Sequence, residues 1–442
     1  MLSALIDRAL AAVEPGAAVR RALAVRRDTL AFGSLLLPLR ALRRAIVVGA
    51  GKAAAPMAAA TVEALAGLPV EGLVIVPYGY GAPAGPVVVR EAGHPLPDRA
   101  GLVATGEIEQ MLTGTTEQDL VVALISGGGS ALLTAPAGNL TLDDLTATNA
   151  ALVDSSLPIE AINAVRKRLD RLKGGGLAKA ASPATLIALI VSDVVGSPLD
   201  AIASGPTVPD TTTWHDAVAA VDRATLWDAL PGRVVDRLRA GAAGQAEQPL
   251  GPRDPAFATA RSVVIADSRI AAGAVLEAAE EQGLNALLLT TSLEGEANQA
   301  GRFLGSILRE VVTSGSPVGG PCCLVASGET TVTLRGGGLG GRNQELALGA
   351  ARSIAGLEGV LLASIGTDGR DGPTDVAGAW VDGGTIARAG SLGWSAEATL
   401  AGNDSYRFFD SVGGHLRLGP TRTNVGDLMF LLALGRTSRR GG

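Results

Sequence analysis

VVGAGKAAAPMAAA, residues 47–60, is the stretch that sets the fold of this chain. An apolar β-branched run enters Gly49-Ala50-Gly51-Lys52 and passes straight into an alanine-rich helix. Strand, glycine turn and helix in immediate succession mark an α/β layer, with the helix N-terminus facing the crevice beyond the strand's carboxyl end. Backbone N–H groups there favour an anion, and Lys52 would bring an ammonium to the same place. Two named motifs compete. A Walker loop fails, because Ile46 stands where its first glycine is needed and Ala53 where Ser or Thr is needed. GAGKAA does satisfy the dinucleotide pattern G-x-G-x-x-A, with Glu63 or Glu71 as ribose partners, but that pattern does not call for a lysine in the loop. A phosphate contact by Lys52, a nicotinamide site and a tight turn with a solvated lysine are the three readings of this string.

A second junction of the same kind is LVVALISGGGSALL at 120–133. Ser126 ends a strand, Gly127, Gly128 and Gly129 follow, and Ser130 is placed to cap a helix, so two hydroxyls and several N–H groups suit a carboxylate or phosphate. It is not the G-x-S-x-G elbow of hydrolases. Asp193 follows the apolar run ATLIALIVS, which puts a carboxylate at a strand end, able to hold Mg²⁺ or take a proton, or simply to cap a helix. IASGPTVPD, 202–210, reads as a proline-stiffened loop beside it. Arg166, Lys167, Arg168, Arg171 and Lys173 lie in a helix ending at a triple glycine, and a solvated basic face is the default for them.

In the second half, SGETTVTLRGGGLGGRNQEL at 327–346 reads as a short β-branched strand, a glycine-dense loop and a helix start carrying Arg342, Asn343 and Gln344. Glycines let backbone approach a ligand, and an arginine at a helix N-terminus favours an anionic, phosphorylated one. GTDGRDGPTDVAGAWVD, 366–382, sets Asp368, Asp371, Asp375 and Asp382 among turns, without EF-hand spacing. Asn403, Asp404, Thr421, Thr423, Asn424 and Asp427 suit either capping or ligand contact.

Strand-like runs at 45–49, 72–76, 120–125, 185–191, 262–266, 284–290, 322–327, 360–365 and 428–434 alternate with helical patterns, which predicts α/β layering with a largely parallel sheet. At 442 residues the chain is too long for one ordinary core. The Gly- and Pro-rich stretch 242–256 is the expected boundary between two domains, and the terminal SRRGG is expected to fray. No apolar run approaches the roughly 20 residues that span a bilayer, and Asp7 beside Arg8 argues against a signal peptide, so no membrane partner is expected. Cys322 and Cys323 are adjacent, a spacing poor for mutual bridging or metal binding, which fits a reducing cytoplasm. A net charge of −6 and 3% aromatic residues argue against a nucleic-acid surface. The 47% apolar content leaves room for a homodimer interface.

GAGKAAAPMA, GHPLPD, SGGGSALL, INAVRKRL, LKGGGLA, SDVVGSPLDAIASGPTVPD, GETTVTLRG, GGRNQELAL, GTDGRDGPTDVAG, NDS and TNVGDL occur in order from about residue 45 to 434. Together they resemble the type II glycerate 2-kinase family, whose C-terminal half is the MOFRL domain. The family pattern has a histidine where this chain has Arg168, and a different residue at Arg422. The resemblance implies a Rossmann-like N-terminal domain over 1–245, a MOFRL-type α/β domain over 256–442 and an active site in the cleft between them. It also implies ATP as donor, Mg²⁺, and D-glycerate converted to 2-phosphoglycerate. On that basis Lys52 and Arg342 are expected to flank the transferring phosphoryl group, and Asp193 to orient Mg²⁺ or the attacking hydroxyl. Gly49, Gly51, Ser126, Gly127, Gly128, Gly129, Ser130 and Asn343 would bind glycerate or phosphate, and Glu329 and Asp368 would join Asp193 at the metal. The rivals are a nicotinamide-dependent hydroxypyruvate reductase, a name historically given to this family, and a non-catalytic sensor of a phosphorylated metabolite.

Overall fold

The computed structural model describes residues 1–155 and 157–435; the terminal SRRGG lies outside them. A small antiparallel meander comes first: β1 (Ala24–Arg26), β2 (Thr29–Phe32) and β3 (Leu35–Pro38). Six strands then build the first main sheet: β4 (Arg44–Ala50), β5 (Val70–Pro77), β6 (Val87–Ala92), β7 (Asp119–Ile125), β8 (Thr185–Val191) and β9 (Ala260–Ala266). Their spatial order is β6-β5-β4-β7-β8-β9, and β4, β5, β6, β7 and β8 pair in parallel. Counted by appearance this is the doubly wound order 3-2-1-4-5-6, whose ligand crevice lies where the order reverses, at the carboxyl ends of the first and fourth strands. Here those strands are β4 and β7, which end in the two glycine turns. Both are buried almost throughout, which is why they read as unbroken apolar runs rather than alternating ones. Asp119, fully buried at the start of β7, is held by Arg43 (2.8 Å) and Arg44 (3.2 Å) from the start of β4.

The second main sheet is mixed. It contains β10 (Asn285–Leu293), β11 (Cys322–Gly328), β12 (Val360–Gly366), β13 (Gly378–Asp382), β14 (His415–Leu416) and β15 (Asp427–Ala433), in the order β10-β11-β15-β12-β13-β14. β10 and β11 are parallel, whereas β15 runs antiparallel to both β11 and β12. Cys322 and Cys323 are free and buried in β11, and burial pushes the Cys323 thiol up to about 12, so it stays protonated. Among the described residues no helix is long and apolar enough to cross a membrane.

Two compact units result. The Rossmann-type unit holds Pro15–Ser192 and Ser197–Ile265; the mixed-sheet unit holds Met1–Glu14, Asp193–Gly196 and the chain from Ala266 on. The stretch 242–256 therefore lies inside the Rossmann-type unit, and the strand that follows it, β9, completes the first sheet. The N-terminal helix Leu2–Ala12 belongs with the mixed-sheet unit, where it packs on the helix Ser268–Glu281 and where Val13 O accepts from Thr423 Oγ1 at 2.8 Å. All nine expected strands form. β6, β13, β14 and the meander lacked a readable signal because they are short or, like β6 with Arg90 and Glu91, carry charge on an edge. Conversely, the expected strand over Thr330–Leu334 reduces to one bridge, Thr331 to Glu296.

Candidate active site

In the Rossmann-type unit the two glycine turns are one hydrogen-bonded structure. Ser126 N donates to Ala50 O (3.1 Å), Lys52 N donates to Gly127 O (2.9 Å), and Ser126 Oγ accepts from Ala53 N (3.0 Å) at the entry of the helix Ala54–Ala64. The glycine requirement is steric: a Cβ on Gly49 would stand 2.0 Å from Leu124 O, and one on Gly51 would stand 2.1 Å from Ser126 Oγ. Both glycines are thus explained by the close passage of β7, without a dinucleotide. Ser126 is 2% exposed and caps a helix; Ser130, half-buried, caps none, and its hydroxyl instead meets Ser204 Oγ at 3.0 Å. Ser204 donates to Asn163 Oδ1 (2.9 Å), and Asn163 Nδ2 donates to Ala201 O (3.3 Å). Ala203 and Ser204 hold left-handed backbone at φ +50° and +60°, a conformation costly for non-glycine residues and fixed here by that relay. The IASGP loop therefore joins the turn at 126–130 through Ser204. Asn163 and Ser204 were invisible in sequence because the relay that unites them spans separate elements.

His94, on the loop after β6, adds to this cluster. A Cβ on Gly128 would stand 2.9 Å from its Cδ2 and 3.0 Å from its Nε2. Partial burial of the ring and the Lys52 charge both push its pKa below the usual histidine value.

The basic helix is not a solvated face. Arg168 donates to Asp210 Oδ2 at 2.5 Å with side chains 3% and 1% exposed, and its guanidinium lies 5.5 Å from the Trp214 ring centre. Lys167 also meets Asp210 (3.5 Å), Lys173 pairs with Asp170 (2.7 Å), and Arg171 chelates Glu109. These cations line a cavity of about 310 Å³ that also takes in Arg237 and Trp214. Arg166 is different: its hydrogen bond goes to the neutral Asn149 Oδ1 (2.8 Å), and burial lowers its pKa.

In the mixed-sheet unit, sheet register gathers the acids. Gly328, Gly366 and Asp427 are paired across β11, β12 and β15, so Glu329, Thr367, Asp368 and Asp427 share one sheet end. Arg342, at the first turn of the helix Arg342–Ser353, binds Asp427 through two nitrogens (2.6 and 3.0 Å) and Glu329 through a third (3.0 Å). Burial pushes Asp427 up to about 6 against the attraction of Arg342. Asp193 accepts from Asn424 Nδ2 at 2.9 Å in the same unit.

The sequence reading of this helix as a ligand's anion site is corrected by Asp371. Its buried carboxyl accepts from the backbone N–H of Asn343 and of Gln344, both at 2.9 Å, so the chain supplies the acceptor itself, although burial raises that carboxyl's pKa against those hydrogen bonds. Asn343, expected to touch ligand, is 1% exposed and fully engaged by Asp371, Asp427 and Ser364, so it is part of the scaffold. The glycine loop 335–341 is likewise anchored from within: Asn403 Oδ1 accepts from Arg335 N (2.6 Å) and Gly336 N (3.0 Å), and Asp404 Oδ1 accepts from Leu339 N (3.0 Å). The NDS string thus ties down this loop, and Asp404, at the N-cap of the helix Ser405–Val412, makes no side-chain cap bond. Arg422 is exposed, at φ +62°.

Among the described residues no group of three His, Cys, Asp or Glu side chains forms a ready metal cage. Mg²⁺ does not need one where phosphates supply most of its oxygens and the protein adds one or two carboxylates. Asp193, Glu329 and Asp368 are oxygen donors of the right kind for that.

Comparison with known proteins matches both halves. Residues 1–239 match the family described as "Domain of unknown function (DUF4147)", and residues 322–427 match the "MOFRL family". A glycerate 2-kinase from Pyrococcus horikoshii is 40% identical over 439 residues, covering 99% of this chain and 97% of that protein. A putative hydroxypyruvate reductase from Agrobacterium vitis is 41% identical over 398 residues, 90% of this chain and 89% of that one. The crystal structure of a glycerate kinase from Thermotoga maritima superposes with a TM-score of 0.86 at 37% identity, covering 97% of each chain. With the doubly wound sheet, the Lys52 turn and the Arg342 helix all in place, the chain belongs to the type II glycerate 2-kinase family, built from a DUF4147 domain and a MOFRL domain.

Proposed function

We propose that this chain is a glycerate 2-kinase, transferring the terminal phosphoryl group of ATP to the 2-hydroxyl of D-glycerate to give 2-phosphoglycerate. The observation that carries the proposal is the fusion of the Lys52 loop with the 126–130 turn at the point where the parallel sheet reverses order. An ammonium, backbone N–H groups and a glycine surface there suit phosphate or carboxylate oxygens. Phosphoryl transfer requires little covalent chemistry from the protein; it requires positioning and neutralisation of charge.

In this reading Lys52 and Arg342 neutralise the migrating phosphoryl group, while the 127–129 glycines and Ser130 hold oxygens of glycerate or phosphate. Glu329 is the more exposed of the two Arg342 partners, 47% against 1% for Asp427, so it is the one that can yield Arg342 to a phosphate. Asp193, Glu329 and Asp368 are the proposed donors to Mg²⁺, which would screen the phosphate charge. Free buried thiols suit a cytoplasmic protein.

The reductase reading keeps one support, the name carried by the Agrobacterium vitis relative. Its sequence support weakens, since Gly49 and Gly51 have a packing cause. Incubation with ATP, Mg²⁺ and D-glycerate, resolving 2- from 3-phosphoglycerate, tests the proposal. 2-Phosphoglycerate is expected; NADH consumption with hydroxypyruvate and no phosphorylated product would overturn it.

A further inference from the structure

His94 has no part in the roles assigned above, yet it stands among their residues. It lies two residues beyond β6, at the same end of the sheet as Lys52 and the 126–130 turn. The ring passes so close to Gly128 that any side chain there would strike Cδ2 and Nε2, and this is the glycine of the turn that takes a left-handed φ of +88°. His94 is exposed, and among the described residues neither ring nitrogen has a hydrogen-bond partner, whereas the nearby acids are engaged. Asp98 accepts from Tyr78 Oη (2.7 Å) and Gly101 N (2.9 Å), and Glu91 accepts from Gly79 N (3.1 Å) and Gly81 N (2.9 Å). An imidazole held against the oxygen-binding turn, with both nitrogens open, is equipped to meet a substrate group rather than a protein one.

We infer that His94 is the general base that takes the proton from the attacking hydroxyl of glycerate. The inference rests on the glycerate 2-kinase reading. The hydroxyl oxygen forms a bond to the terminal phosphorus of the nucleoside triphosphate as the bond from that phosphorus to the bridging oxygen breaks. The nucleoside diphosphate leaves with the bond's electron pair, and the hydroxyl proton passes to an unprotonated nitrogen of His94 and then to solvent. The charged group that faces the ring from the adjoining element is Lys52; on its own loop the charge is Asp98, and Glu91 lies near the end of β6, both held as described. Partial burial first, and the Lys52 charge second, lower the pKa of the ring, so Lys52 favours the neutral imidazole that can accept a proton, besides neutralising phosphate.

The test is His94→Gln, with His94→Asn as a second variant, assayed beside the wild type for 2-phosphoglycerate formation across pH 5 to 8, with thermal melts to confirm folding. A base of this kind is worth roughly 10²- to 10⁴-fold, so kcat/KM should fall by about that factor with melting unchanged. The wild-type profile should rise with pH through a pKa below the ordinary histidine value of about 6.5. That limb should vanish in both variants, whereas any ionisation of the nucleotide itself would persist. Near-normal kcat/KM in a folded variant overturns the role, and so does a loss of rate with the acid limb intact, which would mark a positioning residue. Wild-type turnover separates the two readings: unaltered variants beside an active wild type overturn the base alone, whereas a wild type that forms no phosphoglycerate overturns both.

Discussion

Single residues here divide into those whose removal should abolish turnover and those whose removal should weaken the fold. Lys52→Ala should leave a folded protein with kcat down roughly 10²- to 10³-fold, the usual cost of losing one charge-stabilising donor. Arg342→Ala should cost more, about 10³- to 10⁵-fold, if its guanidinium meets the transferring phosphoryl group. Steady-state kinetics with D-glycerate at saturating ATP, paired with a melt, would check both. Arg168→Ala should behave in the opposite way. It leaves Asp210 buried with a weakened set of partners, and breaking such a pair costs roughly 3–5 kcal/mol, readable by denaturant titration. The Arg168 comparison also shows what one-dimensional reading loses. Five cations in one helix and its exit look like a solvated stripe until Asp210 and Glu109, distant in sequence, arrive to pair with Lys167, Arg168 and Arg171, while Lys173 turns to Asp170 and Arg166 to Asn149.

Among the elements, the strands were legible because nearly all the central ones are buried on both faces and carry unbroken apolar runs. The two glycine junctions were legible as well, since strand, turn and helix follow without a gap. What could not be read was which anion a helix N-terminus serves. Asp371 lies 28 residues beyond Asn343, in a turn whose acids look interchangeable on paper, yet it alone sits under the helix. Asp371→Ala would strip two backbone N–H groups of their acceptor and leave the Gln344 amide only Thr374 Oγ1. We expect about 2–4 kcal/mol of destabilisation, more than an exposed cap would give, because the orphaned donors are buried. Chemical denaturation of the full chain would measure it, and a loss under 0.5 kcal/mol would show that the helix end finds other acceptors.

At the scale of the whole molecule, the units do not follow the order of the sequence. A fragment ending at residue 245 lacks β9, and with it one edge of the first sheet. We expect fragment 15–265 to give a cooperative melt and fragment 1–245 to aggregate or melt broadly, as differential scanning calorimetry would show. Acid should expose the buried ion pairs. Burial alone would raise the Asp210 pKa, but the hydrogen bond and charge of Arg168 outweigh it and hold the carboxyl below its usual range. The stabilisation from Asp210 is therefore complete above the unfolded value of about 3.9 and is lost as pH falls through the folded value. Denaturation midpoints should drop below about pH 4, and Asp210→Asn should flatten that drop while lowering stability at neutral pH.

The first helix has a further meaning for biosynthesis. Its apolar side, Leu5, Ile6 and Ala9, is covered by a partner that begins only at Ser268. On the ribosome those side chains must wait, uncovered, while residues 13–267 emerge. The Rossmann-type unit can close before that moment, so vectorial synthesis leaves a nascent amphipathic tail as the natural handle for a chaperone.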